Sequence, residues 1–194
     1  MIKLAIETTD GFSISIDDNG DRYDFASESD VGKTSELLWE QIGHIKNKSD
    51  IAEIYLSSGP SNYTNLRIIY SFAMGVRKAT GAHIYTIPSF MAKANYLLKT
   101  GQTLPFILIN YARNNEYCYQ IVDKNTSDID WQQVHLTDKA GIEGLAEKYK
   151  CITNKQTHDI LGTGEMIRLN AASLFDVSEK YKKDSGLIYA RASV

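Results

Sequence analysis

The chain has 194 residues, with 21 Lys+Arg against 24 Asp+Glu and a formal charge of −3. A pI near 5.8 excludes a protein that grips nucleic acid mainly through its own basic surface, and no apolar run approaches the roughly 20 residues that span a bilayer. With 43% apolar and 23% charged residues, a packed core is expected and global disorder is not.

The N-terminal segment alternates Ile2, Leu4 and Ile6 with Lys3 and Ala5, the period-2 pattern of a strand. Phe12, Ile14 and Ile16 repeat it, and Asn19-Gly20 marks a hairpin turn into a return strand over residues 21–26. Three antiparallel strands therefore open the chain. A helix is predicted over residues 34–46, capped by Thr34 or Ser35, with Leu38, Ile42 and Ile45 on one face and Leu37 and Trp39 widening the stripe. Ile54-Tyr55-Leu56 is a short buried strand ended by Ser58-Gly59-Pro60. A long helix follows over residues 63–80, capped by Ser61, Asn62 or Thr64 and closed by Gly81. It is apolar on two faces, Leu66, Ile69, Tyr70 and Ala73 on one and Ile68, Phe72, Val76 and Ala79 on the other, which implies cover on two sides.

Residues 83–87 read as a strand and residues 89–99 as a helix capped by Ser89. Residues 106–109 and 117–122 are the strands expected to begin a second, smaller lobe, with a polar turn after them at residues 125–130. A strand near Val134, a helix over 142–150, a strand at Cys151-Ile152-Thr153 and a last helix after Gly164 complete the prediction. The division is residues 1–103 and residues 104–194, and the βββ-α-β-α-β-α order identifies the first lobe as α/β.

Histidine and cysteine chemistry is unpromising. His44, His83, His135 and His158 are scattered, with no i, i+4 pair for a metal, and Cys118 and Cys151 form neither a Cys-x-x-Cys motif nor a disulfide framework. No metal site is expected. Neither is a signal peptide evident, so a cytoplasmic location is the expectation. Glu7-Thr8-Thr9-Asp10-Gly11 lies between the first two strands, where hydroxyls and backbone N–H groups hold phosphate in some folds and simply close a β-turn in many more. Gly162-Thr163-Gly164 reads as a strand–turn–helix junction, but Ile167 stands where a dinucleotide fingerprint needs its third glycine. Ser61 has no nearby histidine and reads as a cap rather than a nucleophile.

The stretch Ser58-Gly59-Pro60-Ser61-Asn62-Tyr63-Thr64-Asn65-Leu66-Arg67 resembles the Gly-Pro-Gly-Ser-Phe-Thr-Gly-Leu-Arg signature of the TsaB (YeaZ) family. Gly59, Pro60, Thr64, Leu66 and Arg67 are identical, and Tyr63 takes the aromatic place. In chain order, Leu4-Ala5-Ile6-Glu7-Thr8-Thr9, Ser35-Glu36-Leu37-Leu38, Ala112-Arg113-Asn114-Asn115-Glu116-Tyr117, Gly162-Thr163-Gly164 and Ile188-Tyr189-Ala190-Arg191 resemble further family segments. Ser61 and Asn65 replace signature glycines, Glu7 replaces an Asp, and Tyr111 stands where an Asp is usual. Lys33 or Thr34 takes the place of a His, so the resemblance is to a divergent member with a short second lobe.

That resemblance implies an actin-like, two-lobed α/β fold of the kind found in Hsp70 and sugar kinases (the ASKHA fold), with mixed sheets flanked by helices. It implies a non-catalytic scaffold that binds and activates the transferase TsaD, together with the ATPase TsaE, in forming threonylcarbamoyladenosine on tRNA. Contact with tRNA would then be indirect, through the complex. The family's paired helices imply a partner face carrying Leu37, Trp39, Gln41, Arg67, Tyr70, Ser71 and Met74, filled by TsaD or by a second copy of the chain. No cofactor is implied for the isolated chain, although ATP or ADP at the heterodimer junction is compatible with weak nucleotide contacts from Glu7, Thr8, Thr9, Gly162 and Gly164. The competing readings are a small nucleotide-binding kinase or ATPase of the same superfold, and a peptidase, for which the chain has neither a metal pair nor a Ser/His/Asp set.

Overall fold

A computed structural model describes residues 1–27, 33–123 and 128–177. The segment Ile188-Tyr189-Ala190-Arg191 lies outside these residues, as does most of the turn expected at 125–130.

The opening strands are β1 (Ile2–Glu7), β2 (Phe12–Asp18) and β3 (Asp21–Ser27). The β2–β3 turn uses the only two residues between Asp18 and Asp21, Asn19 at φ 55° and Gly20 at φ 101°, the positive pair that a tight right-twisted hairpin requires. The chain continues through α1 (Thr34–Gly43), β4 (Ile51–Ser57), α2 (Tyr63–Thr80), β5 (His83–Ile87) and α3 (Ser89–Lys99). Strand order in this sheet is β3-β2-β1-β4-β5, with β1, β4 and β5 parallel. A second sheet, in the order β10-β9-β6-β7-β8, combines β6 (Phe106–Arg113), β7 (Glu116–Val122), β8 (His135–Asp138), β9 (Lys150–Thr153) and β10 (Glu165–Met166). The helices α4 (Lys139–Ala146) and α5 (Lys155–Leu161) belong to this half.

Alternation along the strands sorts the molecule into layers. Leu4, Ile6, Ile54 and Leu56 pack with Leu38 and Ile42 of α1 and with Leu66, Ile69 and Ala73 of α2. The opposite face, carrying Ala5 and Tyr55, packs on α3 through Phe90, Met91 and Ala94, and this core continues into Phe106, Leu108 and Ile152 of the second sheet. Ile107, Ile109 and Tyr117 turn the other way, against Ile142 of α4. The helix pair α1–α2 is thus the outermost layer on one side, and α3 is sandwiched between the sheets. Residues 168–177 return to the first half: the Ala171 N–H donates to Ser13 Oγ at 3.0 Å, and the Arg168 guanidinium reaches the Ser27 carbonyl at 2.5 Å.

Several local expectations need correction. The first helix stops at Gly43, not Lys46. Ile45 is buried all the same, because a turn with its N–H bonded to the Ile42 carbonyl keeps it in the core with Leu38 and Ile42. Neither Thr34 nor Ser35 caps it: Lys33 occupies the cap position with no side-chain bond, and Thr34 is buried in the first turn. Ser89 does not cap α3 either, since Pro88 holds that place and Ser89 Oγ accepts a hydrogen bond from Thr9 Oγ1 at 2.6 Å. The helix of the second half begins at Lys139, where Asp138 accepts from the Gly141 N–H at 2.9 Å, and not at Ile142. An unforeseen helix, α5, precedes Gly162, and the strand β10 follows Gly164 in place of the expected helix. By contrast, α2 has its expected limits, with Asn62 accepting from the Thr64 N–H at 2.9 Å and Gly81 at φ 80° ending it.

Candidate functional site

Two regions of the fold gather functional side chains: a cleft between the sheets and the outer face of α1–α2. The cleft follows from topology. Parallel strands β1 and β4 of one sheet and β6 and β9 of the other all direct their C-terminal ends to the same place, where α/β sheets offer loops and free backbone groups to ligands. It measures about 570 Å³ and is lined by Thr8, Thr9, Asp10 and Gly11 after β1, Pro60, Ser61 and Asn62 after β4, Asn110 and Tyr111 on β6, and Asn154, Lys155 and Gln156 after β9.

Carboxamides and hydroxyls clamp the two sides together. Asn154 Nδ2 donates to the Thr9 carbonyl at 3.3 Å, and Asn110 Nδ2 donates to the Pro60 carbonyl at 3.2 Å. Ser61 Oγ donates to the Thr8 carbonyl at 2.9 Å, fixing the β1–β2 turn against the start of α2. Beneath the cleft lies a buried charged cluster. Lys93 Nζ, from α3, stands 2.8 Å from Asp10 Oδ2, which also accepts from the Leu169 N–H at 2.7 Å. Glu7 is fully buried at the end of β1 and accepts from the Thr9 N–H. Burial pushes its carboxyl up to about 7 and the negative charge of Asp10 adds to this, while bonds from Thr9 and the Lys93 ammonium oppose it.

The expected phosphate cradle does not assemble. Thr8 and Thr9 line the cleft and Glu7 lies below it, but Gly162 and Gly164 are not among its lining residues. Gly162 closes α5 at φ 69°, its N–H bonded to the His158 carbonyl at 2.8 Å, so the turn offers a helix C-terminus where an N-terminus was expected. Gly164, at φ 92°, lies so close to β9 that a Cβ would stand 2.9 Å from Thr153 Cγ2. Gly162 serves the left-handed turn that ends α5, and Gly164 serves the close packing on β9. Among the described residues, no three His, Cys, Asp or Glu side chains are grouped to hold a metal ion, and no helix is long and apolar enough to cross a membrane.

The outer helix face carries most of the residues expected there. Trp39 is 76% exposed, Met74 43% and Tyr63 38%, and Arg67 and Ser71 are exposed beside them. The Arg67 guanidinium lies 3.8 Å from the centre of the Tyr63 ring, a cation–π stack along one turn of α2. Leu37 and Tyr70 are half-buried and lean on the core beneath. Gln41 is a correction: it is buried at 1% exposure, because Tyr23 of β3 reaches over it and donates to Gln41 Oε1 at 2.8 Å.

Sequence reasoning missed Lys93, Asn110 and Asn154. A lysine inside the otherwise small and apolar run Ser89-Phe90-Met91-Ala92-Lys93-Ala94 is the signal that a buried carboxylate partner exists. Asn154, with Thr157 three residues on, has the spacing of a helix cap, and its Oδ1 does accept from the Thr157 N–H at 2.9 Å.

No protein family profile matches the chain, and no curated protein matches it in sequence. Solved structures do. YeaZ from Pseudomonas aeruginosa superposes with a TM-score of 0.66 at 13% identity, covering 90% of this chain and 89% of that one. A protein described as uncharacterized, with similarity to peptidase YeaZ from Pseudomonas aeruginosa, superposes with a TM-score of 0.66 at 11% identity, covering 98% and 99%. The chain therefore has the two-lobed, actin-like α/β fold of YeaZ over nearly its full described length.

Proposed function

We propose that the protein is a TsaB-like, non-catalytic scaffold that binds the threonylcarbamoyl transferase TsaD through the outer face of α1 and α2, acting with TsaE in forming threonylcarbamoyladenosine on tRNA. The observation that carries this reading is the exposed aromatic and sulfur-bearing face of Trp39, Tyr63 and Met74, with Arg67 stacked on Tyr63, on the outermost helix pair of a YeaZ-type fold. Tyr, Trp, Met and Arg are the residue types enriched where protein surfaces meet. Burying about 800 Å² per partner there gives a standard-sized interface. Ser71 is exposed on α2 between Arg67 and Met74, and Leu37 and Tyr70 are half-buried against the core. ATP or ADP at the junction with TsaD, and tRNA reached through the complex, belong to this reading.

Cells lacking their own TsaB and supplied with this chain test it. Restored threonylcarbamoyladenosine, measured by mass spectrometry of digested tRNA, supports the scaffold. Undiminished loss of the modified base, with the chain expressed and folded, rejects it. The kinase-like alternative draws on Thr8 and Thr9 at the cleft, but it has lost the second half of its phosphate cradle at Gly162 and Gly164.

A further inference from the structure

Two hairpin turns of the molecule share one backbone and differ in their chemistry. Asn19-Gly20 joins β2 to β3 with φ 55° and 101°, and Asn114-Asn115 joins β6 to β7 with φ 52° and 61°. Each is a two-residue turn, closed by the pairs Asp18–Asp21 and Arg113–Glu116, and all four turn residues are exposed. In each, an asparagine side-chain amide carbon precedes the backbone nitrogen of the next residue, the two atoms that a five-membered imide ring joins. In the first turn that nitrogen belongs to a glycine, in the chain's only Asn-Gly sequence. In the second it belongs to Asn115, whose side chain on the adjacent carbon hinders ring closure.

The contacts around Asn19 favour the same chemistry. The Gly20 N–H donates to Asp17 Oδ1 at 2.9 Å, so a carboxylate stands where the nitrogen must lose its proton. Asn19 Oδ1 accepts from the Met1 nitrogen at 3.0 Å, which draws electrons from the amide carbon. Asn19 Nδ2, the group that must leave, donates to Asp18 Oδ1 at 2.8 Å. In the other turn the Asn115 N–H faces the Tyr111 hydroxyl at 3.5 Å, a poorer proton acceptor than a carboxylate.

We propose that Asn19 is a site of spontaneous covalent modification in the folded chain, losing ammonia through a succinimide and reopening as aspartate or isoaspartate. The Gly20 nitrogen gives up its proton and bonds to Asn19 Cγ. The Cγ–Nδ2 bond breaks, and ammonia leaves with that proton. Solvent water then adds to one of the two imide carbonyls and breaks its bond to nitrogen. The net change is amide plus water to carboxylic acid plus ammonia, with no oxidation or reduction. Isoaspartate inserts one extra methylene into a turn with only two residues between its strands. Either product adds a carboxylate beside Asp17, Asp18 and Asp21. Both effects loosen the hairpin that carries Tyr23 onto Gln41 of α1.

The test incubates the full chain in mildly alkaline buffer, folded and in urea, and follows its tryptic fragments by mass spectrometry. The expected result is that fragment 4–22 of the folded chain gains the mass of an amide turned to acid, at least about tenfold faster than the fragment starting at Asn114. The same fragment should accept methyl groups from a protein isoaspartyl methyltransferase. Asn19→Gly, which accepts the positive φ, should remove both signals in a chain that still folds. The folded chain should react no slower than about one-tenth of the rate in urea. A slower folded rate shows that the turn protects Asn19 and overturns the proposal. No mass gain in fragment 4–22, or an equal gain at Asn114, also overturns it.

Discussion

Lys93 of α3 and Asp10 of the β1–β2 turn form an ion pair at 2.8 Å with almost no solvent access, their side chains 4% and 1% exposed. The pair ties the central helix to the turn from which the cleft is built, and Asp10 also holds the returning segment through the Leu169 N–H. Removing one partner leaves the other charge buried and uncompensated. Lys93→Met should therefore cost about 3–5 kcal/mol in urea unfolding, and Asp10→Asn combined with Lys93→Met should recover a large part of that loss. A double variant as unstable as the single one would show that the pair is not what Lys93 contributes.

The neighbouring carboxyl makes stability depend on pH. Glu7 has a folded-state pKa raised from 4.5 to about 7, mainly by burial and then by Asp10. The folded state thus holds a proton that the unfolded chain releases near its ordinary value. The stabilisation is fully present below about pH 4.5 and is lost as pH rises through about 7. Chemical unfolding at pH 5.5 and 8 should show the lower stability at pH 8, and Glu7→Gln should flatten that difference. An equal slope in the variant would assign the effect to another group.

Gly164 and Gly81 separate two reasons for a glycine. Gly164 has φ 92° and no room for a Cβ, which would sit 2.9 Å from Thr153 Cγ2, whereas Gly81 has φ 80° and open space around it. Gly81→Ala should cost about 1 kcal/mol through backbone strain alone. Gly164→Ala adds overpacking against β9 and should cost roughly 2–4 kcal/mol in thermal unfolding. Similar losses at the two positions would remove the packing argument.

The Arg67–Tyr63 stack is exposed and should matter little to the fold. Arg67→Ala should change stability by no more than about 1 kcal/mol, and Asn62→Ala, which removes the cap of α2, should cost about 1 kcal/mol. Urea unfolding of each variant measures these losses. A collapse of the fold on removing Arg67 would make that residue structural and take it out of the partner face.

The parts of the fold legible in the sequence are those set by local rules. Asn19-Gly20, Asn62 and Gly81 each announce a backbone geometry that few other residues accept, and the period-2 runs of β1 and β2 mark their inner face. The parts that were not legible depend on distant partners. Gln41 looks like an outward helix residue until Tyr23, on a strand 18 positions earlier, folds over it. Gly162-Thr163-Gly164 reads in sequence as the entry to a helix, and only the caps at Asn154 and Gly162 show that it is the exit from one. The cleft depends wholly on tertiary structure: Asn110 meets Pro60 across 50 positions and Asn154 meets Thr9 across 145.

The central claim is that the outer face of α1–α2 binds TsaD. Co-expression of the chain with the TsaD of the same organism, followed by size-exclusion chromatography with light scattering, tests it most directly. The scaffold account predicts a one-to-one complex that is lost in Trp39→Glu and Met74→Glu while each variant keeps its melting temperature, since both side chains are solvent-exposed in the isolated chain. A chain that never co-elutes with TsaD, or a complex that survives both charged substitutions, would contradict it.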